Sequence, residues 1–234
     1  SPSSLPTELH VCANDCTYAS VQDAVNAAST GSVIKVAEGT YTDAYERGGT
    51  TQALYVDKSL TIRGGYTKTN WVTPDPEAHR TTLSAQSDGR VVYASGGINL
   101  TLAGLHLTGG NATGLGGMWG GVDAGGGMYI DGAVVQGHEL MIYGNTSAIG
   151  GGVCLTGGGS MVGDGTIEVH GNTASDSFDG GGGVLVAQSE GSTLSGVRIY
   201  ANSASNGRGG GVMLSSGSEN TILSSNWIYG NTAG

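Results

Sequence analysis

The stretch that decides the fold is IYGNTS at 142–147, because it returns as VHGNTA at 169–174, IYANSA at 199–204 and IYGNTA at 228–233. Its asparagines, Asn145, Asn172, Asn202 and Asn231, stand 27, 30 and 29 residues apart. A second phrase keeps step with it: GGGMYI, GGGVCL, GGGVLV and GGGVML. The last glycines of these are Gly127, Gly152, Gly183 and Gly211, spaced by 25, 31 and 28. Two markers drifting together over one period describe stacked coils, one repeat per coil. In such a stack each strand lies about 4.8 Å from its predecessor, and side chains alternate inward and outward.

Working outward from these phrases, the composition fits a packed chain. Glycine contributes 45 of 234 residues and only 12% of residues are charged, which alone would suit a flexible segment. The regular apolar triplets, the 38% apolar content and the four prolines point the other way. No G-X-Y period is present, which excludes collagen. The net charge is −10, from 9 Lys+Arg and 19 Asp+Glu. That excludes nucleic acid as an expected partner and weighs, less strongly, against an anionic polysaccharide. No apolar run approaches a membrane span, and no signal peptide is recognised.

The chain divides into an N-terminal linker with a C-x3-C motif (1–16) and a single coil domain (17–234). Within the domain, 17–49 is a capping helix and first coil, 50–124 less regular coils, and 125–234 the regular glycine and asparagine coils. Cys12 and Cys16 suit a small-loop disulfide and an oxidising, extracellular or cell-surface setting. Free thiols remain the alternative, and zinc lacks further ligands, since only His10 is near. Cys154 sits in a strand with no basic neighbour to lower its pKa, so it is expected to be packing.

Residues 17–42 begin with a helix. Ser20 is its N-cap, Asp23 a weak capping-box partner, and Val21, Ala24, Val25 and Ala28 form its apolar stripe. Gly31 suits the stop and VIKV the strand that follows. This arrangement resembles the N-terminal cap of right-handed parallel β-helix proteins, the pectin-lyase-like class. LTIRGGYTKTNW at 60–71 and LAGLHLTGGNATG at 102–114 resemble bacterial extracellular β-helix proteins with GGG and N-T-A repeats, including the polymorphic outer-membrane-protein group. The resemblance implies an all-β, right-handed parallel β-helix solenoid whose helix covers one open end.

Gapless alignment places Leu105/Leu107, Leu140/Ile142, Ile167/Val169, Val197/Ile199 and Asn226/Ile228 inward. One outward column runs Thr61, His106, Met141, Glu168, Arg198, Trp227. The next runs Arg63, Thr108, Tyr143, His170, Tyr200, Tyr229. Neighbouring rungs should then pair Glu168 with Arg198, set Arg198 against Trp227, and stack His170 between Tyr143 and Tyr200. The asparagines are expected at αL turns, bonded amide to amide as a ladder.

The outward aromatics Tyr143, His170, Tyr200, Tyr229 and Trp227, with Arg198, read first as cross-strand stacking and second as a strip for a sugar chain or protein partner. Trp119, beside Met118 in the glycine-rich insertion 111–124, is a sugar-stacking candidate or a plug. On the glycine phrase Tyr129, Cys154, Leu185 and Met213 face outward, a stripe to be covered by a loop or a partner. Trp71 falls in the polar, proline-containing excursion 66–80.

Catalytic signals are weak. A glycosidase needs paired carboxylates, and Glu168 stands alone on the aligned face. Arg63 and Arg198, its only cations, are coils apart. Asp123, Asp131, Asp164, Asp176 and Asp179 fall in turns, with Asp176 and Asp179 able to cluster. GDGTIEV at 163–169 resembles one copy of a calcium-binding β-roll repeat, but a plain turn suffices. No metal site and no cofactor other than calcium is expected.

The leading function is therefore a secreted or cell-surface structural and binding protein, such as an adhesin or a component of an extracellular assembly. Its partners would be carbohydrate, itself or another surface protein. The alternative is a carbohydrate-active enzyme, a polysaccharide lyase or glycoside hydrolase. An ice-binding face ranks last, because the outward columns are mixed. Because the chain stops inside the asparagine phrase, more coils or a covering subunit are expected beyond Gly234.

Overall fold

Alternation along the repeated strands builds the core. In a computed structural model, which describes residues 7–47, 49–118, 121–176 and 180–234, Leu105, Leu107, Leu140, Ile142, Ile167, Val169, Val197 and Ile199 are all buried. They pair rung to rung as Leu105 with Leu140, Leu107 with Ile142, Ile142 with Val169 and Val169 with Ile199. Asn226, the odd residue in this series, accepts from Val197 N and donates to Leu194 O, so its amide stays satisfied.

The coils make three sheets. The first runs through strands Glu8–Val11, Val33–Ala37, Leu60–Tyr66, Asn99–Thr108, Val134–Tyr143, Ser160–His170 and Thr193–Tyr200, ending on Ile222–Ser224 and Trp227–Tyr229. The second runs from Thr50–Val56 through Arg90–Ser95, Met128–Asp131, Val153–Thr156 and Val184–Val186 to Val212–Leu214. The third consists of the two-residue strands Thr146–Ser147, Thr173–Ala174, Ser203–Ala204 and Thr232–Ala233. Among the described residues the pairings between strands are parallel, except where Tyr45–Arg47 folds back on Thr50–Val56; the isolated bridges Thr67–Asn70 and Gly117–Asp123 are antiparallel. The chain is a right-handed parallel β-helix.

The asparagines form one ladder, buried at Asn145, Asn172 and Asn202 and half-buried at Asn231. Asn145 Nδ2 donates to Asn172 Oδ1, Asn172 Nδ2 to Asn202 Oδ1, and Asn202 Nδ2 to Asn231 Oδ1, at 2.9–3.0 Å. Each oxygen also accepts the backbone N–H of the preceding coil's asparagine. One expectation is corrected: the asparagines are not the αL residues. Positive φ falls one position earlier, at Gly144, Gly171, Ala201 and Gly230. That residue makes the corner, and the asparagine after it turns inward.

The two repeated phrases drift together because they touch. A Cβ at Gly152 would lie 2.6 Å from Gly183 O and 2.8 Å from Asn172 Nδ2, and Gly127 and Gly183 are equally confined. Only glycine lets the backbone close over the amide.

Two further expectations change. The linker expected over 1–16 is, from Glu8 onward, part of the fold: Glu8–Val11 lies parallel on Val33–Ala37 with Leu9 and Val11 buried. Its alternation is only four residues long, too short to stand out beside the prolines. The helix Val21–Ala27 enters after this rung, capped by Ser20 Oγ accepting from Asp23 N, and packs on Glu8–Val11 and Thr50–Val56.

The outward columns are also reassigned. Thr61 pairs with Thr101 and Arg63 with Ala103, so neither precedes His106. Thr82 faces His106 and Ser84 faces Thr108. The excursion after Tyr66 leaves the sheet and returns as Thr81–Ser84, shifting the column. Its Pro76 packs over Gly65 and Gly104, while its Trp71 stacks on His10 at 4.2 Å.

The 111–124 insertion covers the apolar stripe of the second sheet. Met118, Ala124, Tyr129, Ile149, Cys154 and Leu185 form a second small core. Beneath it Arg90, 1% exposed, donates to Ala124 O and Gly116 O and lies 4.9 Å from the Tyr129 ring. Replacing Asn172 by Ala would strand two buried donors on Asn145. We expect Asn172→Ala to lower the unfolding free energy by about 3 kcal/mol. Ala201→Gly should raise it by about 0.5–1 kcal/mol by relieving the αL corner. Chemical denaturation of the two variants checks both signs.

Candidate functional site

The reassigned columns converge on one lateral face. The outer column reads Thr82, His106, Met141, Glu168, Arg198, Trp227, and the inner one Ser84, Thr108, Tyr143, His170, Tyr200, Tyr229. In the inner column the rings of Tyr143, His170, Tyr200 and Tyr229 stack with centroids 5.3, 4.9 and 5.2 Å apart and planes within 9°. Faces so stacked are spent on one another, and the rings present mainly edges outward. Burial holds the His170 imidazole below its ordinary pKa, with Glu168 opposing.

Glu168 links the columns. It accepts from the Tyr200 hydroxyl at 2.8 Å and from Arg198 Nη1 at 3.4 Å. Burial and then the bond to Glu168 push the Tyr200 phenol up to about 12. The Arg198 guanidinium lies 4.9 Å over the Trp227 ring, and Trp227 is 59% exposed.

Beside this column is a hollow of about 390 Å³, lined by Pro76, Glu77, Arg80, His106, Glu139, Met141, Gly165, Thr166, Glu168 and Arg198. Sequence alignment missed Arg80, Glu77 and Glu139. Arg80 and Glu77 come from the excursion, which is brought in by the pairing of Thr82 with His106. Glu139 sits where the register slips between Gly137 and Met141, at φ 47°. Glu168 is therefore not the lone carboxylate of this face, and Arg80 adds a cation to it, while Ser84 occupies the place expected for Arg63. Two nitrogens in the lining, His106 Nδ1 and Arg198 Nε, are buried without a partner among the described residues. His106 titrates below its ordinary value through burial, then Arg80 and His170.

A second hollow, of about 360 Å³, adjoins the first and shares Gly165 and Arg198 with it. Its wall carries Asp164, whose carboxylate accepts from the Thr166 hydroxyl and from His138 Nδ1. The Thr166 hydroxyl is the main cause that brings Asp164 down to about 2. The 163–169 segment, expected as a turn, lies within the strand Ser160–His170 and is bulged where the register slips between Val162 and Ile167. Among the described residues no group of three or more His, Cys, Asp or Glu is placed to hold a metal ion.

The other candidates lie elsewhere. Cys12 and Cys16 are joined by a disulfide with Cα atoms 5.5 Å apart. Cys154 is fully buried, its thiol pushed up to about 12 by burial. Met118 is buried against it. Trp119, and Asp179 of the expected Asp176–Asp179 cluster, lie outside the described residues. No helix among the described residues is long and apolar enough to cross a membrane.

No family model and no curated protein matches the chain. Among the solved structures similar to it are two of the pectin methylesterase from Aspergillus niger. The deglycosylated form is 14% identical, with 98% of this chain and 87% of that one covered and a TM-score of 0.48. The penultimately deglycosylated form is 13% identical over the same shares, with a TM-score of 0.44.

The tie at Asp164 has a definite pH sign. Its folded pKa lies below the ordinary carboxylate value of 3.8, so the tie is intact above that value and is lost as pH falls through about 2. We expect a carboxyl NMR titration to show this low midpoint, and Thr166→Val to raise it toward the ordinary value.

Proposed function

We propose that the protein is an extracellular or cell-surface β-helix protein that binds an uncharged carbohydrate chain on this lateral face. The observation that carries the reading is the mixed lining of the 390 Å³ hollow: Arg80 and Arg198 beside Glu77, Glu139 and Glu168, over Met141 and Pro76. Donors and acceptors of both signs suit the hydroxyls of a neutral sugar, while Met141 and Pro76 suit its C–H faces. A polyanion would meet three carboxylates in the same hollow and a chain of net charge −10. The disulfide supports an oxidising compartment.

A second reading, hydrolysis of the bound chain, is favoured by one observation. Glu139 and Glu168 line the same hollow, and glycoside hydrolysis calls for two carboxylates about the scissile bond. It predicts new reducing ends from a neutral polysaccharide, lost in both Glu139→Gln and Glu168→Gln.

The binding reading is tested by calorimetry against neutral glycans. Arg80→Ala should weaken binding about tenfold, and Arg63→Ala, on a rung outside the hollow, should leave it unchanged. Equal affinity of wild type and Arg80→Ala, or no binding to any uncharged glycan, sinks it.

A further inference from the structure

We infer that the smaller hollow beyond Arg198 is a second subsite of the same groove, so that the ligand is a linear, uncharged oligosaccharide that passes across the Arg198 side chain. This rests on the carbohydrate reading above and adds the ligand's shape and its length dependence.

The second hollow is built by a slip in register. Val162 pairs with Ser195 and Ile167 with Val197, so the four residues Gly163–Thr166 stand opposite Gly196 alone. The longer segment must buckle outward, and the shorter one stays low. The result is a step, with Gly163, Asp164 and Gly165 as the wall and Gly196 and Val197 as the floor. The junction is tight: a Cβ at Gly196 would lie 2.1 Å from Gly163 O. The lip is open, since a Cβ at Gly165 would meet nothing within 4 Å. Thr166 and His138 hold Asp164 and so fix the wall. A rigid step of this kind is pre-organised to receive a ligand at little cost in chain ordering.

Arg198 joins the two hollows. It lines both. On one side its Nη1 bonds Glu168 in the larger hollow, and on the other its guanidinium covers the Trp227 ring at the smaller one. The Arg198 side chain is 40% exposed where it passes between the two hollows, so a ligand crossing at this point meets its guanidinium. The far hollow offers the Asp164 carboxylate, the Ser225 hydroxyl and the Trp227 indole. The two hollows each carry a carboxylate and a hydroxyl, share Gly165 and Arg198 and lie side by side, as consecutive sugar units of one chain require.

The test uses the whole chain and β-1,4-linked gluco-, manno- and xylo-oligosaccharides of two to six units, titrated by calorimetry. Wild-type affinity should rise with length and then level off. Two variants change residues that line the far hollow and not the near one. Trp227→Ala removes the exposed indole. Ser225→Gln fills space at a position of φ 54°, a conformation this chain already holds with glutamine at Gln188. Each should weaken the longest binder about tenfold and leave the two-unit sugar unchanged. Equal losses for short and long sugars, or no loss in either variant while Arg80→Ala still weakens binding, overturns the second subsite. If the wild-type protein binds none of the series, the carbohydrate reading fails and this inference with it.

Discussion

The fold depends on a buried line of amides. Asn145, Asn172, Asn202 and Asn231 tie each coil to the next through side chain and backbone at once. Each Nδ2 also reaches back to a strand carbonyl of the coil before: Leu107, Ile142, Val169 and Ile199. A half-satisfied polar line in an apolar interior would cost more than an apolar replacement. Here every oxygen and nitrogen of the inner asparagines is used, so register and corner are fixed together. The glycines packed on the amides keep the second sheet in phase with the first.

That constraint explains what the sequence made legible. Leu140, Ile142, Val169 and Ile199 could be placed by alternation because the asparagine three or five positions later anchors the count. The pairs Glu168–Arg198 and Arg198–Trp227, and the stack of Tyr143, His170 and Tyr200, follow from the same anchor. Farther from it the count fails. Arg63 and Thr61 were set in the wrong columns because the 66–80 excursion carries no periodic mark of how many rungs it skips. Glu139 and Gly163–Thr166 were obscured because a slip adds residues without changing the residues that flank it. The αL position was misjudged by one, since glycine and alanine at the corner say less than the asparagine beside them.

The hollows on the lateral face arise where the ladder's regularity relaxes. Strict rungs present flat columns whose aromatic faces are already occupied by their neighbours. The slips between Gly137 and Met141 and between Val162 and Ile167 break that flatness. The excursion then adds Arg80 and Glu77 as a side wall. The hollows of this scaffold therefore sit in the departures from the repeat and not in the repeat.

The 111–124 insertion has a different standing from the excursion, though both read as loops. Lifting it would uncover Tyr129, Cys154 and Leu185 and leave the Arg90 guanidinium without Gly116 and Ala124. A thiol now shielded from oxidants would become accessible, and an apolar stripe would open to other chains. For protein engineering, this segment is therefore a poor place to graft an epitope or shorten the chain. The outer tip of the excursion, where Val72 is 86% exposed, offers a graft point that disturbs neither core.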